Sequence, residues 1–115
     1  MTTKIPKPGA PVRGSKTGKP VMALFDLLGR SWAQGVIWQL ADGPLTFRKL
    51  QDACDAVSPT VLNRRLKELR EAGFVEHGSD GYALSPLGKD LLAQMRPLDA
   101  FSHRWASHIG SGDPG

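Results

Sequence analysis

Between Ser58 and Leu84 the hydrophobic period changes with only a glycine at the junction, and this constrains the fold more than any other feature of the chain. Ser58-Pro59 is a helix cap followed by a residue suited to the first helical position, and Leu62, Leu66 and Leu69 recur at helical spacing as far as Gly73, a candidate left-handed cap. Beyond Gly73 the period is two. Phe74-Val75-Glu76-His77 and Tyr82-Ala83-Leu84 flank Gly78-Ser79-Asp80-Gly81, the pattern of a β-hairpin with a short tip. A helix from Pro59 to about Ala72 thus runs directly into a hairpin.

The segments before it are helical. Pro20 opens a helix whose Val21, Leu24, Phe25 and Leu28 lie at three-four spacing and which Gly29 ends. Ser31 with Gln34 three residues on reads as a capping box for a second helix carrying Trp32, Val36, Ile37 and Leu40, stopped by Asp42-Gly43-Pro44. A short helix follows Thr46, with Phe47, Leu50 and Cys54 on one side, and Asp55-Ala56-Val57 links it to Ser58. Two helices joined so tightly have a helix-turn-helix outline. After the hairpin, Ser85-Pro86 starts a helix through Leu87, Leu91, Leu92 and Met95, and Pro97 is expected to break or kink it before Leu98, Phe101, Trp105 and Ile109.

Charge has to be located before it is interpreted. The chain holds 15 basic and 11 acidic side chains, with a pI near 9.6. Five of the basic groups (Lys4, Lys7, Arg13, Lys16 and Lys19) and none of the acids lie in residues 1–19, which leaves ten against eleven in the remainder. Residues 1–19 also contain Pro6, Pro8, Pro11 and three glycines, so they read as a flexible basic arm. That arm is either a solubility tail or a minor-groove or phosphate tether. Residues 20–110 form one domain, and residues 111–115 read as a disordered tail.

Several classes are excluded. A single cysteine, Cys54, permits no internal disulfide, and the carboxylates Asp52 and Asp55 beside it raise rather than lower a thiol pKa. His103 and His108 are five apart, which is not a metal pair on one helix face. The sequence has no glycine-rich phosphate loop and no nucleophile with a recognisable base, so neither an enzyme nor a cofactor is expected. With no signal-like apolar run and no segment of bilayer length, a cytoplasmic protein without membrane contact is expected.

In this order the elements resemble the HxlR branch of winged helix-turn-helix regulators, relatives of the MarR type. The likeness rests on Pro20-Val21 with Leu28-Gly29-Arg30-Ser31-Trp32, on Leu40-Ala41-Asp42-Gly43-Pro44, on Phe47-Arg48-Lys49-Leu50, on Leu62 through Leu69 with Gly73-Phe74-Val75, and on Tyr82 through Gly88. It implies a mainly α fold with a small β-hairpin, a winged helix-turn-helix with extra terminal helices for dimerisation. There are two departures. Lys19 stands where family members often carry a cysteine, which excludes thiol sensing at that position, and the wing is short, with Glu76, His77 and Asp80 in place of phosphate-binding residues.

The implied function is sequence-specific binding of duplex DNA by a homodimeric transcriptional regulator, a repressor on a pseudo-palindromic operator. Thr60, Asn63, Arg64 and Lys67 are the base-edge candidates. Arg64 can bond guanine twice, Asn63 can pair with adenine, and Thr60 can meet a thymine methyl. Arg48, Lys49, Arg65 and Arg70 suit phosphates, as do Ser58 and the free N–H groups of its helix start. Alternatively, Glu68 and Glu71 pair with Arg64 and Lys67 on an ordinary solvated face. The dimer candidates are Val21, Leu24, Leu98, Phe101, Trp105 and Ile109, a surface too apolar to leave bare, which packs either on a second subunit or on the chain's own first helix. A small-molecule effector between the dimer helices and Trp32 or Trp38 is a further expected partner. The rival function is a protein-interaction module without specific DNA binding, suggested by the acidic wing and the near-neutral body.

Overall fold

The computed structural model describes residues 5–112. Its elements are α1 (Pro20–Leu28), α2 (Ala33–Gln39), α3 (Phe47–Ala53), α4 (Pro59–Glu71), β1 (Val75–Gly78), β2 (Gly81–Leu84) and α5 (Pro86–Gly112). The fold is the expected mainly helical one with a single antiparallel hairpin. Its core is built from Ile37 and Leu40 of α2 and its cap, Leu50 of α3, and Leu62, Leu66 and Leu69 of α4, all essentially sealed from solvent. Those three α4 leucines lie on the face that the sequence period assigns to the interior.

The hairpin pairs Val75 with Leu84, Glu76 with Ala83, His77 with Tyr82 and Gly78 with Gly81, so Ser79-Asp80 alone form the tip. The two glycines therefore belong to the strands, not to the turn. Leu45 forms a single antiparallel bridge on the other edge of β2, exchanging backbone hydrogen bonds of 2.9 and 2.8 Å with Tyr82. This needs Gly81, whose φ is +110° and whose missing Cβ would fall on the Leu45 carbonyl. The hairpin is thereby tied to the connection between α2 and α3.

Ser85 joins the end of α4 to the start of α5. Its hydroxyl donates to the Gly73 carbonyl at 2.5 Å and accepts from the Gly88 N–H at 2.9 Å. Gly73, with φ +90°, is the left-handed residue after the Ala72 cap, as its sequence position suggests.

In four places the structure departs from expectation. The capping box at Ser31 does not form, because Trp32 caps α2 in a left-handed conformation (φ 67°) and the Gln34 amide donates instead to the Leu28 carbonyl at 2.9 Å. Pro97 does not break the last helix: α5 is continuous through it to Gly112, so residues 111 and 112, read as tail, extend the helix. Residues 5–19 fold back on the body in glycine turns. Gly9 N–H bonds the Gly18 carbonyl at 2.8 Å, Val12 and Ser15 pair at 2.8 and 3.0 Å, and Arg13 meets Asp26 of α1 through its backbone N–H (3.2 Å) and its guanidinium (3.6 Å). Finally, Leu24 is half-buried and packs on the core, whereas Phe25 points outward. The expectations for residues 1–4 and 113–115 lie outside the described residues.

Candidate nucleic-acid interface

The angle between α3 and α4 is set by the link that joins them. Asp55 and Ala56 both adopt left-handed conformations (φ 56° and 55°), each costing about 1 kcal/mol or more for a residue with a Cβ. Local bonds offset that cost. Ala56 N–H donates to Gln51 O (3.0 Å), Val57 N–H to Cys54 O (3.0 Å), and the Gln51 amide to Val57 O (2.8 Å). The next residue, Ser58, starts α4 by accepting from the Val61 N–H at 3.2 Å, as Thr46 starts α3 by accepting from Lys49 N–H at 3.3 Å.

This geometry leaves Thr60, Asn63, Arg64, Lys67 and Arg70 exposed along α4, and Arg48 and Lys49 exposed on the first turn of α3. None of these five cationic side chains forms an ion pair among the described residues. The solvated-face reading of Glu68 fails for a physical reason. That carboxylate is buried and accepts from Arg30 Nη1 at 2.5 Å and Arg65 Nη1 at 2.6 Å, so it leaves Arg64 unpaired.

Arg65 needs the opposite correction. Its side chain is only 12% exposed, and its Nε donates to the Ser31 carbonyl at 2.8 Å, which fastens the α1–α2 corner to α4. It is a fastening residue of the fold and is not on the outward face. Arg30 and Glu68 are its partners in this role. Sequence reading missed both, because their contact spans 38 positions.

The hairpin tip presents Glu76, His77, Ser79 and Asp80 to solvent, with the His77 ring stacked on Tyr82 at 4.0 Å. Two exposed acids and no lysine or arginine make this a poor surface for a phosphate backbone. Cys54 is fully buried, and burial first, then the Asp55 charge, pushes its thiol above the ordinary value. Because a raised pKa lowers the thiolate fraction at neutral pH, Cys54 is expected to resist a disulfide reagent in the native protein and to react fully once denatured; fast native labelling would contradict its burial.

Of the dimer candidates, Leu98, Phe101, Trp105 and Ile109 of α5 are 62, 52, 55 and 52% exposed and Val21 of α1 is 47% exposed, whereas Leu24 packs on the core; Phe25, which was not a candidate, is 59% exposed on the same helix as Val21. The stripe therefore does not complete its own chain's core. Trp38 lines an open cleft of ≈ 260 Å³ with Gln34, Met95, Leu98 and Asp99, while Trp32 instead lies over Gly35.

The chain and its fold are similar to known proteins. Residues 25–104 match the family described as HVO_A0261 N-terminal domain. The HTH-type transcriptional regulator YodB of Bacillus subtilis (strain 168) is 38% identical over 88 residues, which cover 70% of this chain and 79% of YodB. The crystal structure of quinone-bound YodB superposes with a TM-score of 0.69 at 31% identity, covering 73% of this chain and 96% of that one. A possible HxlR family transcriptional factor from Thermoplasma volcanium GSS1 gives a TM-score of 0.66 at 27% identity, covering 76% of this chain and 85% of that one. No helix among the described residues is long and apolar enough to cross a membrane. With its helix-turn-helix, its hairpin and these relatives, the chain belongs to the HxlR family of DNA-binding, HTH-type transcriptional regulators and is not an enzyme.

Proposed function

We propose that the protein is a homodimeric repressor that reads a pseudo-palindromic duplex through α4. The observation that carries this reading is the outward face of α4, where Thr60, Asn63, Arg64 and Lys67 stand exposed with no ion pair on the two cations among the described residues. An α-helix fits the major groove, and these side chains match the donor and acceptor patterns of base edges. Arg48, Lys49 and Arg70, with the start of α4 at Ser58, take the phosphates on either side. Two such helices in a dimer would read half-sites about one turn of DNA apart, roughly 34–36 Å.

The second subunit is assigned to the exposed stripes of α5 and α1. From Arg96 to Gly110 every residue of α5 is exposed, and a helical arm of that length carrying four large apolar side chains gains its stability from a partner. A small-molecule effector belongs to the same reading, on the example of YodB, whose crystal structures include quinone-bound and diamide-treated forms. With Lys19 at the family's cysteine position and Cys54 buried, the response in this chain proceeds without a thiol at that place.

Binding to the DNA upstream of its own gene and to a scrambled duplex tests the reading. Arg64→Ala is expected to lower the preference for the true site roughly ten- to hundredfold, the worth of one bidentate base contact. An unchanged preference would remove Arg64 from the reading, and a wild-type protein without salt-dependent DNA binding would favour the protein-interaction module instead.

A further inference from the structure

We propose that the folded basic arm, residues 7–16, is a second DNA-phosphate surface that takes over the role the acidic hairpin cannot fill. The inference rests on the DNA-binding reading above. A winged protein ordinarily has two cationic regions, the reading helix and its wing, and here Glu76, His77, Ser79 and Asp80 make the wing tip repel a phosphate backbone. The missing charge is found elsewhere: five basic and no acidic side chains precede Pro20.

The arm is placed. The Gly9–Gly18 bond closes its loop, and Asp26 of α1 holds Arg13 by backbone and side chain together. An open cleft of ≈ 500 Å³ lies between arm and body, lined among the described residues by Lys7, Arg13, Lys16 and Arg30 and by one acid, Asp26. Asp26 is engaged by Arg13, and Lys7 and Lys16 are exposed with no ion pair among the described residues. Arg30, on the opposite wall, is bonded to Glu68 of α4, the residue one turn after Arg64. Through Arg30 and Glu68 the cleft adjoins α4 on its α1 side, and Ile5, Pro6 and Pro8 lie beside Glu71 and Ala72 near the end of that helix, after Lys67 and Arg70, whereas the hairpin is attached through Leu45 to the α2–α3 connection. Because the loop is already closed against α1, little ordering entropy opposes a phosphate contact.

The test is a salt series with the full chain on the upstream and scrambled duplexes. For Lys7→Ala/Lys16→Ala the slope of log K against log salt is expected to shrink by about 2, at ~0.9 per phosphate contact, so its deficit narrows roughly tenfold between about 50 and 200 mM salt. The loss should be equal on both duplexes, since phosphates carry no sequence. Asp26→Ala, which removes an acid but also the acceptor that holds the Arg13 N–H and so frees the arm, is expected to weaken binding, an outcome that charge alone would reverse. An unchanged slope in the lysine variant, or tighter binding by Asp26→Ala, overturns the proposal. If Arg64→Ala loses selectivity while the lysine variant keeps the wild-type slope, only the arm proposal fails. If the wild type binds neither duplex, both readings fall.

Discussion

Glu68→Ala is expected to lower folding stability by about 3 kcal/mol and the melting temperature by roughly 10–20 °C. The carboxylate is 4% exposed and takes hydrogen bonds from two guanidinium groups, Arg30 and Arg65, whose side chains are themselves 23 and 12% exposed. Removing it leaves two cations facing each other in a region from which water is largely excluded. Removing one partner of a buried pair costs about 3–5 kcal/mol, and the residual exposure of Arg30 places this site at the lower end. The effect should extend to function under the proposed reading, because the same three residues hold the α1–α2 corner against α4. Thermal denaturation of Glu68→Ala beside Arg64→Ala checks the argument, since Arg64 has no such contacts and its loss should leave the melting temperature within a few degrees. In a double-mutant cycle, Arg65→Ala should cost far less in the Glu68→Ala background than alone. Losses below about 1 kcal/mol would place Glu68 among ordinary surface pairs.

Glu68 also marks where sequence reading stops. Its spacing from Arg64 is that of a helix surface pair, and nothing local distinguishes it from one. Its partner Arg30 is brought in by the α1–α2 corner, a tertiary event with no local signature. The Ser31–Gln34 capping signal failed for the same reason, because Trp32 turns left-handed where the corner packs and the Ser31 carbonyl is taken by Arg65. The Leu45 bridge to β2 was equally hidden, since a single bridge leaves no alternation to read.

Features governed by short-range chemistry were legible. Pro20 and Gly29 bracket α1, Ser58-Pro59 and Gly73 bracket α4, and the switch to period two after Gly73 places the hairpin, because caps, proline geometry and strand alternation act within a few residues. Exposure of Thr60, Asn63, Arg64, Lys67 and Arg70 follows from the same helical period that buries the leucines. Arg65 escaped it because it lies at the margin of that face, where a long side chain can turn either way. The turns of residues 5–19 were not legible from composition: prolines and glycines that suggest disorder also make tight turns, and Asp26 supplies an anchor.

The Phe101→Glu/Trp105→Glu variant is expected to be a folded monomer that binds its operator 10²- to 10⁴-fold more weakly, roughly the advantage of linking two half-site contacts. Both side chains sit in the middle of the α5 stripe, more than half exposed, on a segment in which no residue from Arg96 to Gly110 is buried by its own chain. The substitutions therefore remove no buried side chain, only the exposed approach of Arg104 to the Phe101 ring at 5.5 Å, and the melting temperature of the monomer should report chiefly the lost association. Large aromatic residues at the centre of an interface commonly carry 2 kcal/mol or more each, and a carboxylate adds the cost of desolvating a charge. Sedimentation at micromolar concentration reads the oligomeric state. Trp105 emission gives a second readout, since pairing would shift the wild-type spectrum to the blue and dilution should reverse the shift. A wild-type monomer, or a glutamate variant that remains a dimer with full operator affinity, would mean that the stripe is not the contact between subunits. Phe25→Glu on α1 then separates the two apolar surfaces: if α1 and α5 of partner chains cover each other, this single change weakens the dimer as well, whereas an α5-only contact leaves it intact.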